Sequence, residues 1–142
     1  MKPGTMAILA KTTVPLIITG SSVLPKGFTG RDPGDVDLLF KNGVDLQQFI
    51  TDIAQSSNML VQFDGYEDSL VKLDLDNGEK IDCMVDSMHR TFPDLQGGGL
   101  IGVDYEFNIA VAKLRILFDR KDSQPDRTFS KHFEDIKRML GV

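Results

Sequence analysis

Leu16-Ile17-Ile18-Thr19-Gly20-Ser21, followed after a loop by Asp35-Val36-Asp37-Leu38-Leu39-Phe40, is the stretch on which the fold turns. One apolar run ends in Gly-Ser, and the next opens with carboxylates at i and i+2. In a strand these two positions point to one face, with Cα atoms about 7 Å apart. Asp35 and Asp37 then project together, while Val36, Leu38 and Phe40 enter the core. Two carboxylates converging from a rigid strand suit a pair of Mg²⁺ ions about 3.5–4 Å apart. A sharp turn at Gly20 places backbone N–H groups beside the Ser21 and Ser22 hydroxyls, a corner suited to the outer phosphates of a nucleotide. The competing explanation is a solvated Asp-x-Asp turn, which arises easily in a chain with 21 Asp and Glu. The Gly-Ser step and the apolar runs on both sides weigh against it.

Outward from this stretch, residues 14–20 and 36–40 are expected as strands, separated by a Gly/Pro-rich loop from Lys26 to Gly34. Apolar positions at 46, 49, 50, 53 and 54 give helical spacing over Asp45 to Gln55, and Met59 to Phe63 is a short strand. Val71, Leu73 and Leu75 alternate with polar residues, as do Ile81, Cys83 and Val85, so a hairpin follows. A three-residue loop, Asn77-Gly78-Glu79, would pair Leu75 with Ile81, Leu73 with Cys83 and Val71 with Val85. A two-residue Asn-Gly loop would set Leu73 against Asp82 and Asp74 against Ile81, so burial of one face selects the longer loop. That register sets Asp74 opposite Asp82, a like-charge pair that a bound cation would compensate. Gln96-Gly97-Gly98-Gly99 is taken as a loop without a site. Asp104 is placed as the N-cap of a helix from Tyr105 to Phe118, with Phe107, Val111, Leu114 and Phe118 as its buried stripe. A last helix, about Phe129 to Leu140, turns Phe129, Phe133, Ile136 and Leu140 inward.

The fold class expected from this order is α/β: a small mixed sheet carrying the carboxylates, flanked by helices, with a C-terminal helical pair. One domain spanning residues 1–142 is expected, and 41% hydrophobic content supplies its core. No apolar run reaches the roughly 20 residues a membrane helix needs, and the N-terminus lacks the pattern of a secretory signal. Cys83 is the sole cysteine, which excludes a disulfide within the chain and points to a cytoplasmic setting. His89 and His132 have no ligand-like spacing with each other or with Cys83, so zinc is not expected. The net charge of −5 is unevenly spread. Residues 1–112 hold 8 Lys/Arg against 16 Asp/Glu, whereas residues 113–142 hold 8 against 5. A basic C-terminal layer facing an acidic half would set positive charge where a polyphosphate or a nucleic-acid end must lie; a solvated helix surface of mixed sign is the alternative.

The hydrophobic-Gly-Ser step, the loop and the Asp-x-Asp strand resemble the nucleotidyltransferase superfamily that includes DNA polymerase β and the small antibiotic nucleotidyltransferases. Lys113-Leu114-Arg115-Ile116-Leu117-Phe118-Asp119-Arg120 is similar to the Lys-Leu-(x)5-Arg motif of the AbiEii-type toxins. Lys131-His132-Phe133-Glu134-Asp135-Ile136 resembles their Arg-Asp-x-x-Asp-Ile motif, with Lys and His where Arg and Asp are usual. The resemblance implies transfer of a nucleoside monophosphate from an NTP, with Mg²⁺ or Mn²⁺ as cofactor. It implies Asp35, Asp37, Lys113 and Asp135 as catalytic residues. It implies Gly20, Ser21, Ser22 and Lys113 as nucleotide-binding, and Asp82 as a third metal ligand beside Asp35 and Asp37. Asp86, farther along the chain, is the weaker candidate for that third carboxylate, and Arg120 is expected to clamp Asp135 or Glu134. An RNA acceptor such as a tRNA 3′ end, a toxin role and an antitoxin partner are further implications. A small-molecule acceptor such as an antibiotic, and a non-catalytic nucleotide-binding module, are the rivals.

Overall fold

The computed structural model describes residues 1–24, 35–63, 71–94, 96–97, 99–119 and 127–141. A short helix α1 (Thr5–Leu9) leads into strand β1 (Leu16–Thr19), which ends in a single 3₁₀ turn at Ser21–Val23. Strand β2 (Val36–Phe40), helix α2 (Gly43–Ala54) and strands β3 (Met59–Phe63), β4 (Val71–Leu75) and β5 (Lys80–Val85) follow. Strand β6 (Ile101–Val103) and helices α3 (Glu106–Asp119) and α4 (Arg127–Met139) complete the chain. The strands form one mixed sheet in the order β3-β4-β5-β2-β1-β6. The expected α/β class, the mixed sheet and the C-terminal helical pair are all present. Among the described residues no helix is long and apolar enough to cross a membrane.

Alternation along the central strands divides the sheet into two unlike faces. Leu16 and Ile18 of β1, Val36, Leu38 and Phe40 of β2, and Ile81 and Cys83 of β5 point to one side. There they meet Leu46, Phe49 and Ile53, the apolar stripe of α2, and Leu9 of α1. Phe40 and Phe49 pack as a tilted pair with ring centroids 5.0 Å apart. Helix α2 starts where the Asn42 side chain accepts the Asp45 N–H at 2.9 Å, one turn before the apolar stripe begins. The opposite face carries Thr19, Asp37, Leu39, Asp82 and Met84, and α3 and α4 lie over it.

The β4–β5 hairpin departs from the expected register. The loop is Asp76-Asn77-Gly78, closed by the Leu75 N–H donating to the Glu79 carbonyl at 2.9 Å. Leu73 faces Ile81 and Val71 faces Cys83, while Lys72 faces Asp82 and Asp74 faces Lys80. The expected and observed pairings have the same parity, so both bury apolar against apolar. Only the observed one replaces an Asp–Asp opposition by two opposite-charge pairs. It also sets Gly78, at φ 86°, as the last loop residue, where a left-handed conformation closes a three-residue hairpin. With Lys80 rather than Asp82 across from it, Asp74→Asn is expected to destabilise the protein by a few tenths of a kcal/mol. Equilibrium urea denaturation measures this, and any stabilisation would contradict the cross-strand pairing.

Helix α3 is also rotated from expectation. It begins at Glu106, and its inward residues are Ile109 and Lys113. Phe107 and Phe118 are 75% and 67% exposed and Leu114 is half exposed, so three of the four positions 107, 111, 114 and 118 face outward, and Val111 is half-buried. Burying the lysine places its charge against the polar face of the sheet, which an apolar stripe could not satisfy. On α4, Ile136 is buried as expected, but Phe133 and Leu140 are exposed. The Lys26–Gly34 loop and Arg120 lie outside the described residues, as does the Phe129 side chain.

Candidate active site

Three central strands bring a row of polar side chains into register. Thr19 on β1 is the partner of Asp37 on β2, and Asp37 is the partner of Asp82 on the parallel neighbour β5. The like-charge contact expected within the hairpin therefore exists one strand further in, between Asp37 and Asp82. Lys72 balances the outer side of Asp82 at 3.9 Å. Burial pushes the Asp37 carboxyl up to about 7, helped by the Asp82 and Asp35 charges, while Lys131 and Lys113 pull it down. Asp35 is half-buried, two residues before Asp37 at the entry to β2. Gly20, at φ 79°, lies so close that a Cβ there would collide with the Asp37 carboxylate. The glycine is thus required both by its conformation and by the carboxylate packed against it.

Helix α3 sets Lys113 across the cleft from this row. Its Nζ donates to Asp135 Oδ2 at 2.8 Å and to Ser21 Oγ at 3.1 Å, and lies 3.3 Å from His132 Nδ1. The Lys113 side chain is 6% exposed and that of Asp135 is fully buried. Asp135 therefore cannot touch a substrate as it stands, and acts by holding the ammonium. Ser21 is tied to the lysine, whereas the Ser22 hydroxyl donates back to the Thr19 carbonyl at 3.3 Å and braces the corner.

Thr19, Gly20, Asp37, Lys113 and His132 border a cleft of about 430 Å³. Leu39, Met84, Met88, Ile109 and Ile116 supply its apolar wall. That size and mixed lining are typical of a small-molecule site.

A buried network unread in the sequence stiffens the far end of the cleft. Arg90 bonds Asp86 at 2.7 Å and Asp104 at 3.1 Å, and Asp104 also accepts the Thr19 hydroxyl at 2.6 Å. Burial would raise both carboxyls, but hydrogen bonds outweigh it: from Met88, Arg90 and the guanidinium for Asp86, and from Arg90, Thr19 and Asn108 for Asp104. Asp86 is thereby committed to Arg90, and Asp104 serves the network rather than capping α3. The i, i+4 spacing of Asp86 and Arg90 was the one signal available, and it falls in a segment without helical periodicity.

The metal ligands implied by the resemblance are brought together in part. Among the described residues no three His, Cys, Asp or Glu side chains converge closely enough to hold an ion as they stand. Asp37 and Asp82 nevertheless fit a hard divalent cation by their chemistry: oxygen donors in direct register, with a mutual repulsion that raises the Asp37 carboxyl.

No family model matches the sequence, and no curated protein matches it. Among solved structures the chain is similar to ANT(2″)-Ia, an aminoglycoside nucleotidyltransferase, in its complex with adenylyl-2″-tobramycin. The TM-score is 0.51 at 15% identity, over 96% of this chain and 83% of that one. The architecture is that of the nucleotidyltransferase fold. The similarity to AbiEii-type toxins rests on the sequence motifs alone.

Proposed function

We propose that this protein transfers a nucleoside monophosphate from an NTP to an acceptor hydroxyl. One observation carries the proposal: a buried ammonium, Lys113, fixed by Ser21 and Asp135 on the wall of the cleft that Asp37 also lines. In the reaction the acceptor hydroxyl gives its proton to a carboxylate of the Asp37–Asp82 pair, its oxygen bonds to the α-phosphorus, the bond to the bridging oxygen breaks, and pyrophosphate leaves. The Lys113 charge, its hydrogen bonds taken by Ser21, Asp135 and His132, acts through space on the outer phosphates and offsets charge gathering on the leaving group. Ser21 and Asp135 hold that ammonium in place, and the apolar wall shields the reacting atoms from water. Asp37 and Asp82, with Asp35 beside them, would hold Mg²⁺ or Mn²⁺, which when bound supplies Lewis-acid polarisation of the phosphate oxygens.

For the acceptor, a small molecule is favoured by the size of the cleft and by the adenylylated tobramycin bound to the structural neighbour. An RNA end is the second reading, supported by the excess of basic residues over 113–142 and by the Lys113 and Asp135 motifs. A toxin role and an antitoxin partner belong to that second reading.

The test incubates the protein and Mg²⁺ with each of the four NTPs, α-labelled, together with an aminoglycoside panel, total RNA or a metabolite extract. Label is expected on one acceptor class with release of pyrophosphate. Binding of an NTP without transfer to any acceptor would overturn the enzyme reading in favour of a binding module.

A further inference from the structure

His132 stands where the resembling motif has an aspartate, a departure that would ordinarily count against a working site. Its position gives it a use. An ammonium only donates hydrogen bonds, so a ring nitrogen 3.3 Å from Lys113 Nζ bonds to it only when that nitrogen carries no proton. We propose that His132 is a positioning residue for Lys113, held as the neutral tautomer with Nδ1 accepting from Nζ and the proton on Nε2. It rests on the triphosphate-binding reading of the cleft for its consequence, but not for its geometry.

The exchange of a carboxylate for an imidazole has an electrostatic effect. With an aspartate at this position Lys113 would sit between two carboxylates, its charge largely cancelled. Here Asp135 supplies a carboxylate contact to Lys113, and His132 adds an acceptor without charge where the motif would add a second carboxylate. More positive potential then remains directed at the cleft, where a triphosphate would lie.

The cost is a dependence on pH. Protonation of Nδ1 removes the acceptor and sets two cations against each other. Among the described residues, the charged groups that share the cleft with the ring include Lys113 and Arg115 from α3, Asp37 from the sheet, and Arg90 with its partners Asp86 and Asp104; Lys131 and Asp135 flank it on α4, and Asp82 lies beside Asp37. Asp37 titrates in the same range, but it does so equally in a protein altered only at His132.

Two measurements test this. The chain has two histidines, so ¹⁵N long-range correlation spectra resolve both rings, with His89 as the internal comparison. His132 is expected as the Nε2–H tautomer at pH 8, and Lys113→Met is expected to shift its Nδ1 resonance while leaving His89 unchanged. An Nδ1–H tautomer, or no response to Lys113→Met, would overturn the contact whatever the protein binds.

The second measurement is calorimetric titration with tripolyphosphate in Mg²⁺, a probe that requires no knowledge of the base. His132→Ala is expected to bind about tenfold more weakly at pH 8. His132→Asn, whose amide oxygen overlays Nδ1, should recover most of that loss. Between pH 8 and 5.5 the wild type should lose about tenfold more affinity than His132→Asn. Parallel pH profiles would overturn the switch, and equal binding by the alanine and asparagine variants would overturn the positioning role. Wild-type protein that ignores tripolyphosphate while showing the tautomer would instead remove the nucleotide reading and leave the contact standing. Melting temperatures of all variants separate misfolding from lost binding.

Discussion

Lys113→Ala is expected to lose at least about 100-fold in nucleotidyl transfer, the scale for removing a charged contact to the transition state. The same variant should lose about 3–5 kcal/mol of stability, because it takes the Lys113 cation away from the fully buried Asp135 carboxylate. The two effects are separable. Replacing both partners, Lys113→Met with Asp135→Leu, removes the ion pair together with its desolvation cost and should return stability to within about 1 kcal/mol of wild type. Activity should stay lost. Urea denaturation and a transfer assay on the pair decide the matter. If the double variant regained transfer, Lys113 would be a structural ion pair and the proposed chemistry would need another cation.

Asp37→Asn is expected to stabilise the metal-free protein at pH 8, by about 1–3 kcal/mol. The sign follows from linkage. The folded carboxyl is raised from 3.8 to about 7, so between those values the folded state binds more protons than the unfolded one. Its stabilising protonation is fully present below about pH 4 and is lost as pH rises towards 7. Asparagine cannot ionise and escapes that loss, so the two proteins should converge in acid and diverge in base. With Mg²⁺ and an NTP present the ranking should reverse. Ligand linkage raises the wild-type melting temperature, and the variant lacks the charge needed to hold the ion. Thermal scans at pH 5 and 8, with and without Mg²⁺ and NTP, supply all four corners. A variant stabilised by Mg²⁺·NTP as much as wild type would remove Asp37 as a ligand.

Much of this was visible in the residues, for physical reasons that also explain what was not. Alternation in Val36–Phe40 fixed which face Asp37 occupies, and parity in the hairpin fixed the face of Asp82 despite the shifted register. Period-2 patterns specify a face reliably, because a slip of one residue would invert every side chain. They do not distinguish registers of equal parity, and there the cross-strand charges decided. Helix α3 shows the converse limit. Its 107/111/114/118 spacing identifies a stripe, but periodicity cannot say which side of the helix meets the sheet. The side that does so carries Lys113, because the sheet face beneath it is polar. Strand β6 is three residues long and includes Gly102, too short to show alternation. The contacts of Arg90 with Asp104 and of His132 with Lys113 join separate segments of the chain, and no local pattern encodes them.

The parallel pairing of β2 with β5 also bears on how the molecule comes into being. Asp37 and Asp82 are 45 positions apart, and the chain between them runs through α2 and the β3–β4 pair before it returns to the middle of the sheet. Closing a loop of that size costs about 3 kcal/mol of chain entropy, before any contact is made to repay it. The step that joins the two halves of the sheet is also the one that forces two carboxylates together. Non-local pairings of this kind slow folding, because the loop entropy is lost before the contacts reward it. A nascent chain that has made β1 and β2 has the Gly20 corner and Asp37 beside Thr19, with Asp82 still missing from the row. Chemistry at this cleft therefore waits for the whole sheet.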